Sequence, residues 1–245
     1  MAVYACSDLH GCMKFYKEIK KMLQPEDKVF FLGDAGDRGP EPWETIQAIA
    51  KDRQFVYLKG NHEDMLAEAL VDFVEKDYMG SAYRCLCGNG GYETFDAVIA
   101  DEKSEIYLMQ LARTKLYHCY ENTEGKKIHL SHAGFSLMAD DEIPNDEDLL
   151  WDRDHIDDHC DWWPEENPND YVVHGHTGCV SSVFKRSSFA FGDIDFNKSR
   201  TLCRYAHGHK ICIDGRAFLT QTIARLDLDT LEEKVFFDSD AFPTE

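Results

Sequence analysis

The sequence predicts an α/β protein: a parallel sheet flanked by helices, followed by a strand-rich second half. Three observations carry this. Short apolar runs rich in β-branched and aromatic residues alternate with helical segments over the first third of the chain. Each run ends in a loop of Gly, Asp, Asn or His. No internal repeat or low-complexity linker interrupts the 245 residues, which suit one domain spanning 1–245.

In chain order, "VYACS" (3–7), "KVFFL" (28–32) and "FVYLK" (55–59) read as buried strands. Helices over 13–22, 41–51 and 63–76 follow them. Strands joined by such crossover helices pair in parallel. A helical stretch over about 91–116 comes next, then "LYHCYE" and "KIHLS" (127–131) as a hairpin around the turn "NTEGK". "YVVHG" (171–175), "KICIDG" (210–215), "FLTQTIARLDL" (218–228) and "EEKVFFD" (232–238) supply the remaining strands.

The formal net charge is −20. Phosphate backbones and anionic bilayers are gripped by Lys and Arg, so this surface argues against nucleic-acid and membrane partners. Screening confines the repulsion to about 8–10 Å, which leaves room for a small phosphorylated substrate in a locally positive pocket. No apolar run approaches the roughly 20 residues of a spanning helix, and "MAVYACSDLHG" lacks the regions of a signal peptide. Nine scattered cysteines without a C-x-x-C pair fit reduced thiols and a cytoplasmic location. The sequence is silent on oligomeric state. Residues 140–170 carry fourteen Asp or Glu and one basic residue, Arg153, whereas 181–212 carry six Lys or Arg against two Asp.

Polar residues collect where strands end. "SDLHG" (7–11) sets Asp8 and His10 two apart, so an extended backbone would point both side chains the same way. "GDAGDRG" (33–39) and "GNHED" (60–64) follow the next two strands, and "SHAG" (131–134) and "HGHT" (174–177) follow two later ones. Carboxyl ends of neighbouring parallel strands line one crevice, so Asp8, His10, Asp34, Asp37, Arg38, Asn61 and His62 are expected to converge. Carboxylates and imidazoles with one amide oxygen suit Mn, Fe or Zn rather than an all-oxygen calcium cage. Cys203, His207, His209 and Cys212 form a C-x3-H-x-H-x2-C arrangement of unusual spacing for zinc, and His155, His159 and Cys160 form a weaker one.

The ordered clusters resemble the phosphoprotein phosphatase branch of the calcineurin-like metallophosphoesterases. The elements GDxHG, GDxxDRG, GNHE, HAG and GH stand here as "SDLHG", "GDAGDRG", "GNHE", "HAG" and "GHT", while "NGG" (89–91), "LLWDR" (149–153) and "CIDG" (212–215) are similar to bacterial members. Ser7, Lys59 and Gly178 depart from the pattern without removing a ligand. The resemblance covers about 3–228 and implies two facing mixed β-sheets flanked by helices, a four-layer αββα sandwich with two divalent metal ions, Mn foremost and Fe or Zn as alternatives. It implies that Asp8 and His10 bind the first metal, that Asp34 bridges, and that Asn61, His132 and His176 complete the second.

The surplus acid and arginine of "GDAGDRG" then gain separate tasks. Asp34 offers two oxygens to two cations about 3.5–4 Å apart. Asp37 orients His62, the general acid, and Arg38 and Arg153 grip phosphate oxygens. The expected activity is a dinuclear metal-dependent phosphomonoesterase using direct attack of a metal-bridging hydroxide on phosphorus, by resemblance a serine/threonine protein phosphatase. The alternatives are a symmetrical dinucleoside tetraphosphatase and, from another class, a non-catalytic protein-binding scaffold of this fold. The stretch 181–212 is expected to rim the site and select substrates.

Overall fold

The structure, a computed structural model, describes residues 1–76, 80–136, 144–157, 168–179, 181 and 194–237. Its first sheet contains β1 (Val3–Cys6), β2 (Lys28–Phe31), β3 (Phe55–Tyr57), β10 (Thr222–Asp227) and β11 (Glu233–Phe237), in the order β11-β10-β1-β2-β3. β1, β2 and β3 pair in parallel as their crossover helices demand, and β10 joins β1 antiparallel. The second sheet runs β4-β5-β6-β9-β8-β7, from β4 (Tyr117–Glu121), β5 (Lys127–Ser131), β6 (Asp170–His174), β9 (Lys210–Cys212), β8 (Cys203–Tyr205) and β7 (Asp195–Phe196). The predicted hairpin is present, with β4 antiparallel to β5.

Side-chain alternation along each strand divides the core in two. Val3, Ala5, Phe30 and Leu32 turn inward and pack with Ile128, Leu130, Val173, Ile211 and Leu226 between the sheets. Cys6, Val29 and Phe31 face the other way, into a core shared with helices α1 (Met13–Lys21), α2 (Pro42–Lys51), α3 (Asn61–Lys76), α4 (Ser81–Gly88), α5 (Tyr92–Ala100) and α6 (Ser104–Ala112). Two facing mixed sheets with flanking helices are therefore the observed architecture.

Several segments differ from the sequence expectation, β7 and β8 among them, for which it placed no strand. The helix over 91–116 is two helices, because Asp101 folds its side chain onto the Lys103 amide at 2.9 Å and also accepts from Trp43 and Gln47, an Asx turn competing with the helix. α4 was not foreseen. The apolar run 218–228 becomes a strand only from Thr222, since Ala217–Thr220 forms a helical turn flanked by left-handed Arg216 and Gln221.

Candidate metal centre

The loops after β1, β2, β3, β5 and β6 meet in one buried cluster. Asp8, His10, Asp34, Asp37, Asn61, His62 and His132 are each no more than 3% exposed. The route there is not the extended one expected for Asp8 and His10. Both are left-handed, with φ of 54° and 43°, as are Asp34, Asp37, Arg38 and His176. Left-handed backbone in non-glycine residues costs on the order of 1–3 kcal/mol each and persists only where surroundings over-determine it. Of the three glycines in "GDAGDRG" only Gly33 has positive φ. Gly39 is there for close approach, since a Cβ on it would collide with the His10 carbonyl oxygen.

Asp34 occupies the middle. Its Oδ2 lies 3.5 Å from His10 Nε2, and its Oδ1 lies 3.4 Å from His132 Nε2. The two oxygens thus face two different groups. His10 Nε2 is 3.9 Å from Asp8 Oδ1. On the other side His132 Nε2 is 2.9 Å from Asn61 Oδ1, which is 3.0 Å from His176 Nδ1.

Proton accounting says what these atoms suit. His132 Nδ1 donates to the Leu32 carbonyl at 2.7 Å and His10 Nδ1 to the Gly36 carbonyl at 3.0 Å, so each Nε2 turns a lone pair into the cluster. Around Asn61 Oδ1, one proton at most, on His176 Nδ1, serves several converging acceptors. Burial pushes the Asp8 carboxyl well above the usual range, and Asp214 and Asp34 add to that. Burial also holds His10 and His176 well below the usual imidazole range. Crowded lone pairs and carboxylates of this kind fit divalent cations, with Asp34 common to the two groups whose ligand atoms lie within 4.8 Å, His10–Asp34–His62 and Asp8–Asp34–His132.

Arg38 and His62 lie directly beside these donors, His62 Nε2 being 3.9 Å from Asp34 Oδ2. The Arg38 guanidinium donates to His10 Nε2 and to His62 Nε2, each at 2.6 Å. The "NGG" turn holds it there through the Asn89 carbonyl at 3.1 Å, and Phe218 lies beneath it at 5.1 Å. His62 Nδ1 donates to Asp37 Oδ2 at 2.5 Å. Burial works to lower the His62 pKa, but the Asp34 charge and the Asp37 hydrogen bond outweigh it and raise it. Arg153, in the turn between α7 (Asp146–Trp151) and α8 (Asp154–Asp157), is exposed yet feels the charges of Asp34, Asp214 and Asp8.

Sequence reasoning passed over several supports. Glu63 accepts from the amides of Asp34 (2.8 Å), Ala35 (2.8 Å) and Gly60 (2.9 Å) and from the Tyr57 hydroxyl (2.9 Å), locking two motif loops together. It is the last letter of "GNHE", so the motif itself was the available signal. Thr94 donates to Asp37, and Ser7 donates to Asp8. Gly178 leaves space for the Arg216 stem, which a Cβ there would strike.

The C-x3-H-x-H-x2-C arrangement does not assemble. Cys203 and Cys212 face each other across β8 and β9, and the third member is Cys179, with all three sulfurs within 4.8 Å. His209 instead approaches the Asp170 carbonyl and stacks on Tyr171. Burial pushes all three thiols well above their ordinary range with Asp214 adding to it, and the trio packs with Ile156 and Tyr205. His155 is buried behind the loops bearing His132 and His176, while His159 and Cys160 lie outside the described residues, as do residues 182–193 of the predicted rim; its remainder, 194–212, supplies β7, β8 and β9 of the second sheet.

A family model for calcineurin-like phosphoesterases matches residues 1–180. A symmetrical bis(5'-nucleosyl)-tetraphosphatase from Pseudomonas fluorescens is 30% identical over 138 residues, covering 55% of this chain and 43% of that protein. The chain thus aligns with less than half the length of that relative. Among solved structures, one assigned as a diadenosine tetraphosphatase superposes with a TM-score of 0.57 at 13% identity, over 96% of this chain and 92% of that one. A serine/threonine phosphatase from Saccharomyces cerevisiae does so with a TM-score of 0.56 at 12% identity, over 97% and 80%. At those identities the superpositions speak to fold alone.

Proposed function

The chain belongs to the calcineurin-like phosphoesterases, and from that premise we propose that it is a dinuclear metal-dependent phosphoric ester hydrolase whose substrate is a dinucleoside polyphosphate. The observation that carries the catalytic half is the placement of Asp34, with one carboxylate oxygen toward His10 and the other toward His132 and Asn61. The substrate half is supported by the tetraphosphatase relative, which favours this reading over the protein phosphatase expected from the motifs.

Asp8, His10 and Asp34 would hold one cation, and Asp34, Asn61, His132 and His176 the other. Two such cations supply an activated water and screen the charge of the phosphoryl group under attack. The remaining work belongs to the side chains. Arg38 turns its planar fork from the imidazoles to two phosphate oxygens, and Arg153 meets the chain of phosphates from the mouth. His62, carrying a proton that Asp37 and Asp34 favour, gives it to the departing oxygen. Asp37, buried and bonded also to Thr94, keeps the imidazole turned toward that oxygen. Two arginines beside the cluster favour a polyphosphate there despite the acidic surface.

Diadenosine tetraphosphate and a phosphoserine peptide, each offered with Mn²⁺, separate the alternatives. Two nucleoside diphosphates per tetraphosphate and little phosphate from the peptide are expected. Faster release from the peptide would reinstate the protein phosphatase, and turnover of neither would leave the non-catalytic scaffold.

A further inference from the structure

Behind the cluster lies a hydrogen-bonded chain that touches no expected metal ligand side chain yet joins the two loops bearing His132 and His176. His155 Nε2 is 2.8 Å from the Ala133 carbonyl, in the loop after β5. Its Nδ1 is 3.3 Å from the Tyr205 hydroxyl on β8. That hydroxyl is 2.7 Å from His174 Nε2, and His174 Nδ1 is 3.0 Å from the Gly175 carbonyl, in the loop after β6. His155, His174 and Tyr205 are all 2% exposed or less.

The protons of this chain can be counted. Two carbonyls at its ends accept only, so each claims one imidazole N–H. A neutral imidazole brings a single proton, so with the nitrogen facing the carbonyl carrying it each ring turns a lone pair toward Tyr205. The Tyr205 proton then has two imidazole lone pairs to choose between. The short 2.7 Å contact to His174 takes it, and the 3.3 Å contact to His155 is the one left without. Polarity therefore assigns one arrangement: His155 Nε2–H to Ala133, Tyr205 O–H to His174, and His174 Nδ1–H to Gly175. Gly134 completes the fit, since a Cβ there would stand 2.8 Å from His174 and 2.9 Å from His155. Lys210 Nζ, 3.1 Å from the His155 carbonyl and 3.1 Å from Ser136 Oγ, pins the far side.

We propose that the His155–Tyr205–His174 chain is a positioning tie that sets the spacing of the His132 and His176 loops, with Tyr205 as its central residue. The tie bears on cation binding through His132 and His176 in the roles proposed above. Ala133 follows His132 directly and Gly175 precedes His176 directly, so a carbonyl held on each side fixes two ring positions at once. Hydrogen-bonding partners that orient metal-ligating groups are worth about 10–100-fold in metal affinity. Asp8 and His10, the first cation's residues, follow a strand of the other sheet, and of the two only Asp8 meets a tied loop, accepting from the His176 amide at 3.1 Å.

The test is Tyr205→Phe, which keeps the ring and removes the proton, read by Mn²⁺ binding and by the electron paramagnetic resonance signature of paired against single ions. Wild type is expected to take two ions and show a coupled pair. Tyr205→Phe should take the first with unchanged affinity and the second about 10-fold or more weakly, with activity recovered at excess Mn²⁺. His155→Gln, whose amide can still donate to Ala133, should fall between the two and stands in if Tyr205→Phe does not fold. Both variants binding both ions as wild type does would overturn the tie. Wild type binding fewer than two ions would overturn the dinuclear reading instead.

Discussion

His62 is gripped at both ring nitrogens, by the Asp37 carboxylate at 2.5 Å and the Arg38 guanidinium at 2.6 Å. It also stands with His10 and Asp34 in a group able to hold an ion, so general acid and ligand are rival roles for one ring. They separate by leaving group. An alkoxide departs poorly without a proton, whereas a nitrophenolate leaves nearly unaided. His62→Asn is expected to cost on the order of 10²–10⁴-fold on an alkyl phosphate and clearly less on an aryl phosphate, with both cations retained. Asp37→Asn should repeat the pattern more weakly. Equal losses on both esters, together with loss of metal, would make His62 a ligand. Metal analysis alongside the two rate assays decides it.

Among elements, α1 and α2 are tied at their ends by one carboxylate. Asp52, the residue closing α2, accepts from Tyr16 (2.9 Å) and from the Gln54 amide (3.0 Å) and lies 2.5 Å from the Lys20 ammonium. Burial works to raise the Asp52 pKa, but Lys20, Gln54 and Tyr16 outweigh it and lower it. A carboxyl lowered by folding stabilises above its unfolded value near pH 4, and that contribution fades as pH falls through the folded value. Lys20 is partly in water, which screens its share. Asp52→Asn is therefore expected to cost about 1–2 kcal/mol at pH 7. By pH 2 the two proteins should melt more nearly together. Thermal melts of both in chelator, at the two pH values, check this; an undiminished gap at pH 2 would remove the ionised carboxylate from the account.

At the scale of the molecule, the cluster spans the seam between the sheets. Asp8, His10, Asp34 and Asn61 follow strands of the first sheet, and His132 and His176 follow strands of the second. Cations held across that seam bind the folded state and scarcely the unfolded one. At a hundred times its Kd one such ion adds about 2.7 kcal/mol. For a domain of this size that is a rise of roughly 5–10 °C in Tm. Mn²⁺ should therefore raise the melting temperature and chelator should lower it while abolishing hydrolysis. Asp34→Asn should lose most of the shift, since both groups share that residue. A melting temperature indifferent to Mn²⁺ would mean that no ion bridges the sheets.

Sequence alone determined what is local: the apolar runs of most strands and the chemistry that stands where they stop. Those signals lie within a few residues of one another, as "GNHE" does at the start of α3. Tertiary structure decided what depends on separation. Asp8 and His10 converge through left-handed backbone rather than strand alternation, a strain that only the surrounding loops can hold. Glu63 bonds across 29 and 28 residues to the Asp34 and Ala35 amides, so its task is invisible until β2 and β3 pair. Cys179 displaced two histidines from the company of Cys203 and Cys212 because the register of β8 on β9, not spacing along the chain, chooses neighbours. The His155–Tyr205–His174 tie joins positions as much as 50 residues apart. No periodicity carries such contacts, which exist only once the second sheet has closed.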